Sequence, residues 1–415
     1  FLNDIATKKF TSSYISPKYA TELLSTMLGG YNVQALVKLL DSDQAEVAAE
    51  SLSKSVLIFD SYYDVEKLHN KGNKYATQVL ESWAAADWFT TKPKTPNKIK
   101  MIVFKADGEI NTDDLSPAQE AWSRPDIPLH AKSMLLNKTP DIFDQIKKLK
   151  GKNLPIVFVG DIVGTGSSRK SAINSLQWHF GKSIPHVPNK NTEGVILGGK
   201  IAPIFFNTAE DSGAIPIECE VSNFKTGDII EIDFSKGKIS DESNNVLSNF
   251  DIRPKTLLDE VRAGGRVSLI IGKGLTEKSR NTLGLGATKI FIESINKGQK
   301  KHGFTLAQKM VGKACGVDGI SPGTYCEPKI TTVGSQDTTG AMTRDELKDL
   351  ACLGFSAELV MQSFCHTAAY PKPVDIELQH TLPEFMSSRG GVSLKAGDGV
   401  IHSWLNRMIL PDTVG

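Results

Sequence analysis

Cysteine is scarce in this chain, with five residues among 415, and no two of them form a Cys-x-x-Cys pair. Disulfide-stabilised secreted domains are rich in cysteine, and iron–sulfur clusters use closely grouped thiolates. The scarcity therefore predicts a reducing, cytoplasmic location. We expect no metal ligand among the five thiols, which belong to Cys219, Cys315, Cys326, Cys352 and Cys365.

Net charge and long apolar runs are also lacking. The 48 basic and 47 acidic residues give a net charge of +1, and no apolar run approaches the length of a membrane-spanning helix. The composition therefore gives no global electrostatic reason to expect nucleic acid or a membrane as partner. With 40% hydrophobic and 23% charged residues, the chain is predicted to form several globular domains.

A glycine-rich segment, Gly160–Lys170, lies between an apolar β-branched run, Leu154–Val159, and a mixed polar and apolar stretch, Ser171–Phe180. This order predicts a strand, a tight loop and a helix N-terminus. The segment has Arg169 in place of the third glycine of a dinucleotide fingerprint, and it lacks the Gly-Lys-Ser/Thr end of a P-loop. Free helix N–H groups and the arginine fork instead predict a carboxylate or phosphate site beside a serine hydroxyl. An ordinary turn with a serine N-cap is the alternative.

The first two domains differ in pattern. Residues 1–92 show short amphipathic helices with Asp-rich turns, which favour a HEAT-like helical repeat that is incomplete at its N-terminus. Residues 98–266 show short strands separated by turn residues, with a hairpin at Asn244-Asn245, and predict a β-rich α/β domain. The aromatic residues predicted to pack in the helical domain are Tyr62, Tyr63, Trp83, Trp88 and Phe89.

The rest of the chain is predicted to form a linker and a third domain. Residues 267–303 are expected to hold a short strand, Val267–Ile271, followed by a charged helical linker. Residues 304–415 begin with an amphipathic stretch, Phe304–Cys315, and later contain a helix start with a capping box at Thr343–Glu346. Between them, Ile330–Gly340 is predicted to be a strand that leads into a polar turn, so this domain is expected to contain both helices and strands.

The segment Gly164–Arg169 resembles the active-site loop in the swivel domain of the aconitase family. The stretches Val187–Lys190 and Leu197–Thr208 are similar to the bacterial B-type branch of that family, and the resemblance runs nearly the whole length of the chain. It implies a HEAT-like domain, a swivel domain and the start of the α/β/α catalytic domain. The Gly-Asp-Ser-His-Thr motif and cluster cysteines of the family are not found up to Gly415, so we expect an internal fragment that is inactive alone.

The resemblance also implies a set of site residues. Ser167 matches the catalytic base, Asp113 matches an active-site aspartate, and His366 matches the histidine that acts in loss of the substrate hydroxyl. His402 matches a second family histidine. The substrate-binding residues implied are Arg124, Ser167, Ser168, Arg169, Gln336, Asp337 and Thr338. From the residues alone, turn capping for the aspartates, a surface role for the arginine at 124 and structural roles for the histidines are the alternatives.

The implied function is that of a hydro-lyase that interconverts citrate and isocitrate through cis-aconitate. The resemblance further implies a 4Fe–4S cluster whose ligands lie outside this chain, a homodimer through the helical domain, and mRNA binding by the cluster-free form. The alternatives are a 2-methylisocitrate or isopropylmalate hydro-lyase and an RNA-binding regulator. The densest basic run, Lys147–Lys152, is interrupted by Leu149, which favours a solvated helix face over an RNA site.

Overall fold

The computed structural model describes residues 1–27, 30, 32–58, 61–117, 119–120, 126–167, 169–292, 303–321, 324, 326, 328–336, 357–365, 367–369 and 371–404. The chain divides into two compact units, Phe1–Glu293 and Ser294–Gly415. The predicted capping box at Thr343–Glu346 lies outside the described residues.

The first part of unit one is helical, as predicted. Ser16 caps the second helix by accepting a hydrogen bond from the Tyr19 N–H at 3.1 Å, and Pro17 occupies its first position. The helices bury a shared core, but Tyr63, a predicted packing residue, is 56% exposed because it lies on the outer face of its helix, next to buried Tyr62. The helices are α1 Leu2–Ala6, α2 Pro17–Leu24, α3 Val33–Leu39, α4 Ala45–Ser53, α5 Ser61–Asn70, α6 Lys74–Ala84 and α7 Asp87–Thr90.

The second part of unit one contains a seven-stranded sheet with the order β6-β5-β2-β1-β7-β8-β9. Its first four strands are parallel, and β7, β8 and β9 continue the sheet as antiparallel neighbours, with the predicted turn at Asn244-Asn245 joining the last two. A separate hairpin pairs β3 with β4. The strands are β1 Lys98–Asn111, β2 Ile156–Thr165, β3 Lys182–Ile184, β4 Val187–Thr192, β5 Val195–Ile201, β6 Ile215–Glu218, β7 Ile229–Asp233, β8 Lys238–Asp241 and β9 Val246–Asn249.

Both faces of the central strands are buried, which explains their continuous apolar runs. Phe104 and Phe158 point into one core, whereas Val103 and Val157 point into the core on the opposite face. The helices of this part are α8 Thr112–Leu115, α9 Ile127–His130, α10 Ile142–Lys150, α11 Arg169–Phe180, α12 Pro203–Asp211 and α13 Leu257–Ala263. On α10, Leu149 is buried while the flanking lysines are exposed, so the predicted solvated face is confirmed.

The predicted strand at Val267–Ile271 is wrong, because these residues open a long helix, α14 Arg266–Thr282. Buried positions recur at helical spacing along it, beginning with Leu269, Gly272 and Leu275, while Val267 is 52% exposed. The β-branched run favoured a strand locally, but only a helix presents this stripe to the N-terminal core, which Leu275 joins.

Unit two contains a small parallel sheet and amphipathic helices. In the order β10-β11-β12, the strands are β10 Thr332–Gln336, β11 Leu359–Ser363 and β12 Val392–Ser393, and the helices are α15 Leu306–Ala314, α16 Pro373–Ser388 and α17 Ile401–Trp404. A capping box at Thr305 starts α15, within the stretch predicted to be helical. Over the described ranges of both units, none of the helices combines the length and hydrophobicity that crossing a bilayer requires.

Candidate active site

The predicted site residues Asp113 and Ser167 follow two neighbouring parallel strands at the point where each strand ends. Asn111 at the end of β1 pairs with Thr165 at the end of β2. Asp113 and Ser167 each come two residues after this pair, and both are exposed. Because parallel strands share one carboxyl edge, the pairing brings the two predicted catalytic segments to the same edge of the sheet.

Glycine allows the two segments to approach closely. Gly166 has φ +105°, and a Cβ at this position would lie 2.5 Å from Thr112 Oγ1, the first residue of α8. Gly164 has φ +83°, and its Cβ would lie 2.1 Å from the ring of Phe205 on α12. Any larger residue would therefore both strain the backbone and push these elements apart.

The glycine-rich loop is shorter than predicted. Gly160 is still inside β2, where it pairs with Ala106 of β1 and Gly198 of β5. The strand continues because partners on both sides can satisfy its backbone groups, which the local sequence does not reveal. The described turn is therefore Gly166 and Ser167, and the Ser167 carbonyl accepts a 2.9 Å hydrogen bond from the N–H of Arg169, where α11 begins.

The two adjacent aspartates after β1 have separate environments. Asp114 forms a capping box with Asn111, with reciprocal hydrogen bonds of 2.8 and 2.9 Å to backbone N–H groups. Its Oδ2 also lies 3.3 Å from Lys138 Nζ, and this ammonium donates to the Glu109 carbonyl as well. The turn-capping alternative thus holds for Asp114, and Asp113 remains exposed beside it.

A buried histidine that the sequence reasoning missed supports this edge. His130, only 2% exposed, joins its Nε2 to Ser116 Oγ at 2.7 Å and its Nδ1 to the Glu120 carbonyl at 3.0 Å. These bonds tie α9 to the segment that follows α8, the short helix that contains Asp113. Its sequence position, at the end of an apolar Ile-Pro-Leu run, was the available signal.

A second histidine anchors the helix that starts at the loop. His179 near the end of α11 is linked through Nε2 to the Ala131 carbonyl at 2.8 Å, and burial lowers the pKa of His179. A neutral imidazole is therefore favoured there, as befits a structural contact. The anchor fixes the direction of α11, whose N-terminus carries Arg169.

The geometry of this edge suits an anionic substrate. Arg169 is half-buried at the start of a twelve-residue helix, where free N–H groups and a guanidinium favour a carboxylate. Ser167 contributes an exposed hydroxyl and Asp113 an exposed carboxylate at the same edge. Together they can hold an acid and move a proton near it.

Several predicted site residues lie outside what the structure describes. Backbone alone is described for Gln336, at the end of β10, and for His402, in α17. The remaining predicted residues that fall outside the described ones are Arg124, Ser168, Asp337, Thr338 and His366.

Within unit two, the backbone brings two of the predicted segments to one sheet edge. Gln336 pairs with Ser363 where the parallel strands β10 and β11 end. The Ser363 hydroxyl donates a 3.1 Å hydrogen bond to the carbonyl of Gly399, three residues before His402. The stretch that leads to this histidine is therefore held at the carboxyl end of β11.

The thiols that the structure describes do not fit an iron–sulfur cluster. Cys219 is buried in the sheet core, and burial raises its pKa to about 11, so the thiolate required of a ligand is disfavoured. In the described ranges, no three residues of the His, Cys, Asp or Glu type come together in a way that could hold a metal ion. No cluster geometry can be built from these residues.

Comparison with known proteins gives matches along the whole chain. The family model described as Aconitate B N-terminal domain matches residues 1–89, and the one described as Aconitate hydratase 2 N-terminus matches residues 101–304. A 3-isopropylmalate dehydratase small subunit from Halothermothrix orenii is 25% identical over 178 residues, which cover 42% of this chain and 96% of that subunit. All these matches fall in one class, that of aconitases and isopropylmalate dehydratases.

Curated relatives narrow the class further. Aconitate hydratase B from Synechocystis is 59% identical, and the protein of the same name from Escherichia coli is 58% identical; each alignment covers 100% of this chain and 48% or 49% of the relative, respectively. The chain belongs to the aconitate hydratase B family. It spans about half the length of the curated relatives that it matches.

Proposed function

We propose that the protein containing this chain is a hydro-lyase that interconverts citrate and isocitrate through cis-aconitate. The proposal rests on the arrangement at the carboxyl edge of the sheet. The paired ends of β1 and β2 and the close approach of Gly166 to Thr112 bring Asp113 and Ser167 to this edge, and Arg169 lies at the start of α11. Relatives named aconitate hydratase B at 58% and 59% identity support it.

In the proposed reaction, a base removes a proton from the carbon next to a carboxylate, and the hydroxyl leaves from the adjacent carbon. We assign the base to Ser167 Oγ and the acid to His366, which protonates the departing hydroxyl. Water is released and the double bond of cis-aconitate forms. A serine hydroxyl is a weak base, so this role depends on the helix N-terminus and Arg169 to stabilise the alkoxide.

Other residues are proposed to bind the tricarboxylate. Guanidinium groups at Arg124 and Arg169 suit bidentate contacts to carboxylates. Asp113 and His402 complete the proposed catalytic set. Hydrogen bonds to the remaining oxygens are assigned to Ser168, Gln336, Asp337 and Thr338.

We propose that residues 1–92 form a HEAT-like domain, 98–266 a swivel domain, 267–303 a linker and 304–415 the start of the catalytic α/β/α domain. The cluster implied by the family would take its ligands outside the described thiols, so the steps above use only residues of this chain. A cytoplasmic homodimer formed through the helical domain completes the proposal.

The test is Ser167→Ala in the full-length gene product with its cluster reconstituted. We expect turnover of cis-aconitate to fall by about 10²–10⁴-fold, while calorimetry shows citrate binding retained. Ser183→Ala, at an exposed position on β3, is the matched control and should keep full turnover. Turnover of the Ser167 variant near that of the control would contradict the assignment.

A second candidate substrate has a specific observation in its favour, namely the similarity to an isopropylmalate dehydratase small subunit. Comparing kcat/KM for cis-aconitate, methylated cis-aconitate and isopropylmalate separates the candidates. A higher kcat/KM for methylated cis-aconitate or isopropylmalate than for cis-aconitate would change the assigned substrate.

RNA binding by the cluster-free protein is the alternative from a different class. Its support in this chain is the exposed lysine face of α10, Lys147, Lys148 and Lys150. Binding through such a face requires RNA affinity that falls steeply with salt. Affinity that is weak and independent of salt would remove this alternative.

A further inference from the structure

A cleft of about 250 Å³ lies in unit one, away from the catalytic edge. It is lined by residues of the N-terminal helices, including Lys54, and by residues of the sheet part, including Lys190 and Thr192. Thr192 ends β4, and Asn191 before it donates to the Trp178 carbonyl near the end of α11, at 2.9 Å. The predicted catalytic loop precedes the other end of that helix, about 18 Å away at 1.5 Å per residue.

The charged residues among the described lining of the cleft all carry the same sign. Three lysines line it, Lys54, Lys92 and Lys190, and among the lining residues that the structure describes there is no aspartate or glutamate. Lys54 pairs with Glu50 at the exposed rim, at 2.8 Å. Among the described residues, neither of the other two lysines forms an ion pair. Over the described part of its lining, the cleft therefore holds positive charge at Lys92 and Lys190 that no acidic side chain neutralises.

Lys92 is the lysine of the cleft whose charged group is partly desolvated. Its ammonium is half-buried and donates a 2.8 Å hydrogen bond to the Ala263 carbonyl, which also belongs to the cleft wall. Burial, followed by the charge of Arg262, lowers the pKa of Lys92. An anion in the cleft would stabilise the partly desolvated ammonium of Lys92.

Neutral groups of the cleft add hydrogen-bond donors and apolar surface. Ser268 lines it at the first turn of α14, a seventeen-residue helix that no side chain caps. Hydroxyl and N–H donors at such a helix start favour an anion. Val56 and Leu57 supply apolar wall, which suits the carbon part of an organic ligand.

We propose that this cleft binds a small organic anion that carries phosphate or carboxylate groups. Lys190 and Lys92 hold its charge, and Ser268 with the start of α14 completes the contacts. The motif Val187–Lys190, which the catalytic proposal leaves unused, then has a role. Because the wall comes from both the helices and the sheet part, the ligand stabilises their packing inside unit one.

The test uses the full-length protein with Arg169→Gln, so that the proposed catalytic site does not compete for the anion. Inorganic phosphate and citrate are titrated separately by calorimetry, at constant ionic strength, and the melting temperature is followed in parallel. We expect saturable binding of at least one of them. Lys190→Gln should weaken it about tenfold, as for loss of one charge-assisted hydrogen bond.

Lys182→Gln is the matched control, since this lysine lies on the same hairpin but pairs with Glu193 and does not line the cleft. It should leave the affinity unchanged. No saturable binding of either anion, or an equal loss in both lysine variants, would overturn the proposal. Turnover in the Arg169 wild-type background should be unaffected by Lys190→Gln, so this test and that of Ser167 can fail independently.

Discussion

Glu210 is expected to make the stability of unit one fall as pH rises above the acid range. Its side chain on α12 is 2% exposed, and its Oε1 has no hydrogen-bond partner among the described residues. Arg266 Nη1 lies 3.4 Å from its Oε2, whereas Arg266 Nε lies 2.9 Å from Asp211 Oδ1. The Arg266 guanidinium therefore pairs mainly with Asp211, and little of the cost of burying the Glu210 carboxyl is offset.

The cause of the effect is a raised pKa. Burial first, and then the neighbouring Glu260, raise the pKa of Glu210 to about 8 from its ordinary value of 4.5, and Arg266 only partly opposes them. Glu260 is itself buried and accepts a 2.6 Å hydrogen bond from Thr256. Glu210 is thus protonated in the folded protein at neutral pH.

The sign follows from proton binding. Between pH 4.5 and about 8 the folded state holds a proton on Glu210 that the unfolded state releases, so unfolding becomes easier as pH rises. The contribution is complete below pH 4.5 and is lost as pH rises through about 8. At about 1.4 kcal/mol per pH unit, its upper limit is about 5 kcal/mol.

The assay is urea unfolding of the wild type and of Glu210→Gln at about pH 5 and about pH 8. The amide cannot ionise, so from about pH 5 to about pH 8 the free energy of unfolding of the variant should rise by several kcal/mol relative to that of the wild type. Glu277→Gln, at an exposed position on α14, is the control and should show a constant difference. If the difference between Glu210→Gln and the wild type were also the same at both pH values, the inference that Glu210 is buried as a neutral carboxyl would be refuted.

The remaining predictions concern glycines. Gly166→Ala places a Cβ 2.5 Å from Thr112 Oγ1 at φ +105°. It should lower the free energy of unfolding by about 1–3 kcal/mol and the turnover of the full-length enzyme at least tenfold. Unchanged kinetics would contradict the close approach of Gly166 to Thr112. Gly272→Ala places a Cβ 2.2 Å from the Trp88 ring and should destabilise by about 1–3 kcal/mol. Gly274→Ala on the same helix meets nothing within 4 Å and should stabilise by about 0.5–1 kcal/mol. Urea unfolding compares the last two variants, and equal effects would count against the packing of α14 on Trp88.

Local sequence was sufficient to predict those features whose interacting residues lie close together in the chain. The turn at Asn244-Asn245 indicated its hairpin, and Ser16 with Pro17 begins α2, because caps and turns depend on residues close in sequence. The strand, glycine turn and helix around Ser167 were predictable for the same reason. The apolar β-branched run Leu154–Val159 likewise predicted a buried strand, and β2 begins within this run.

Only tertiary structure decided which segments meet. Asp113 and Ser167 share an edge because β1 pairs with β2 in parallel, a choice that no local pattern encodes. The run Val267–Ile271 became helical because its buried stripe had the N-terminal helices to pack against. Lys92 and Lys190, far apart in the chain, line one cleft for a similar reason. Burial and pairing between distant residues outweigh weak local propensity. The sequence by itself therefore determined most elements and the chemistry of their side chains, and the packing determined the helical state of Val267–Ile271 and which segments meet at the sites.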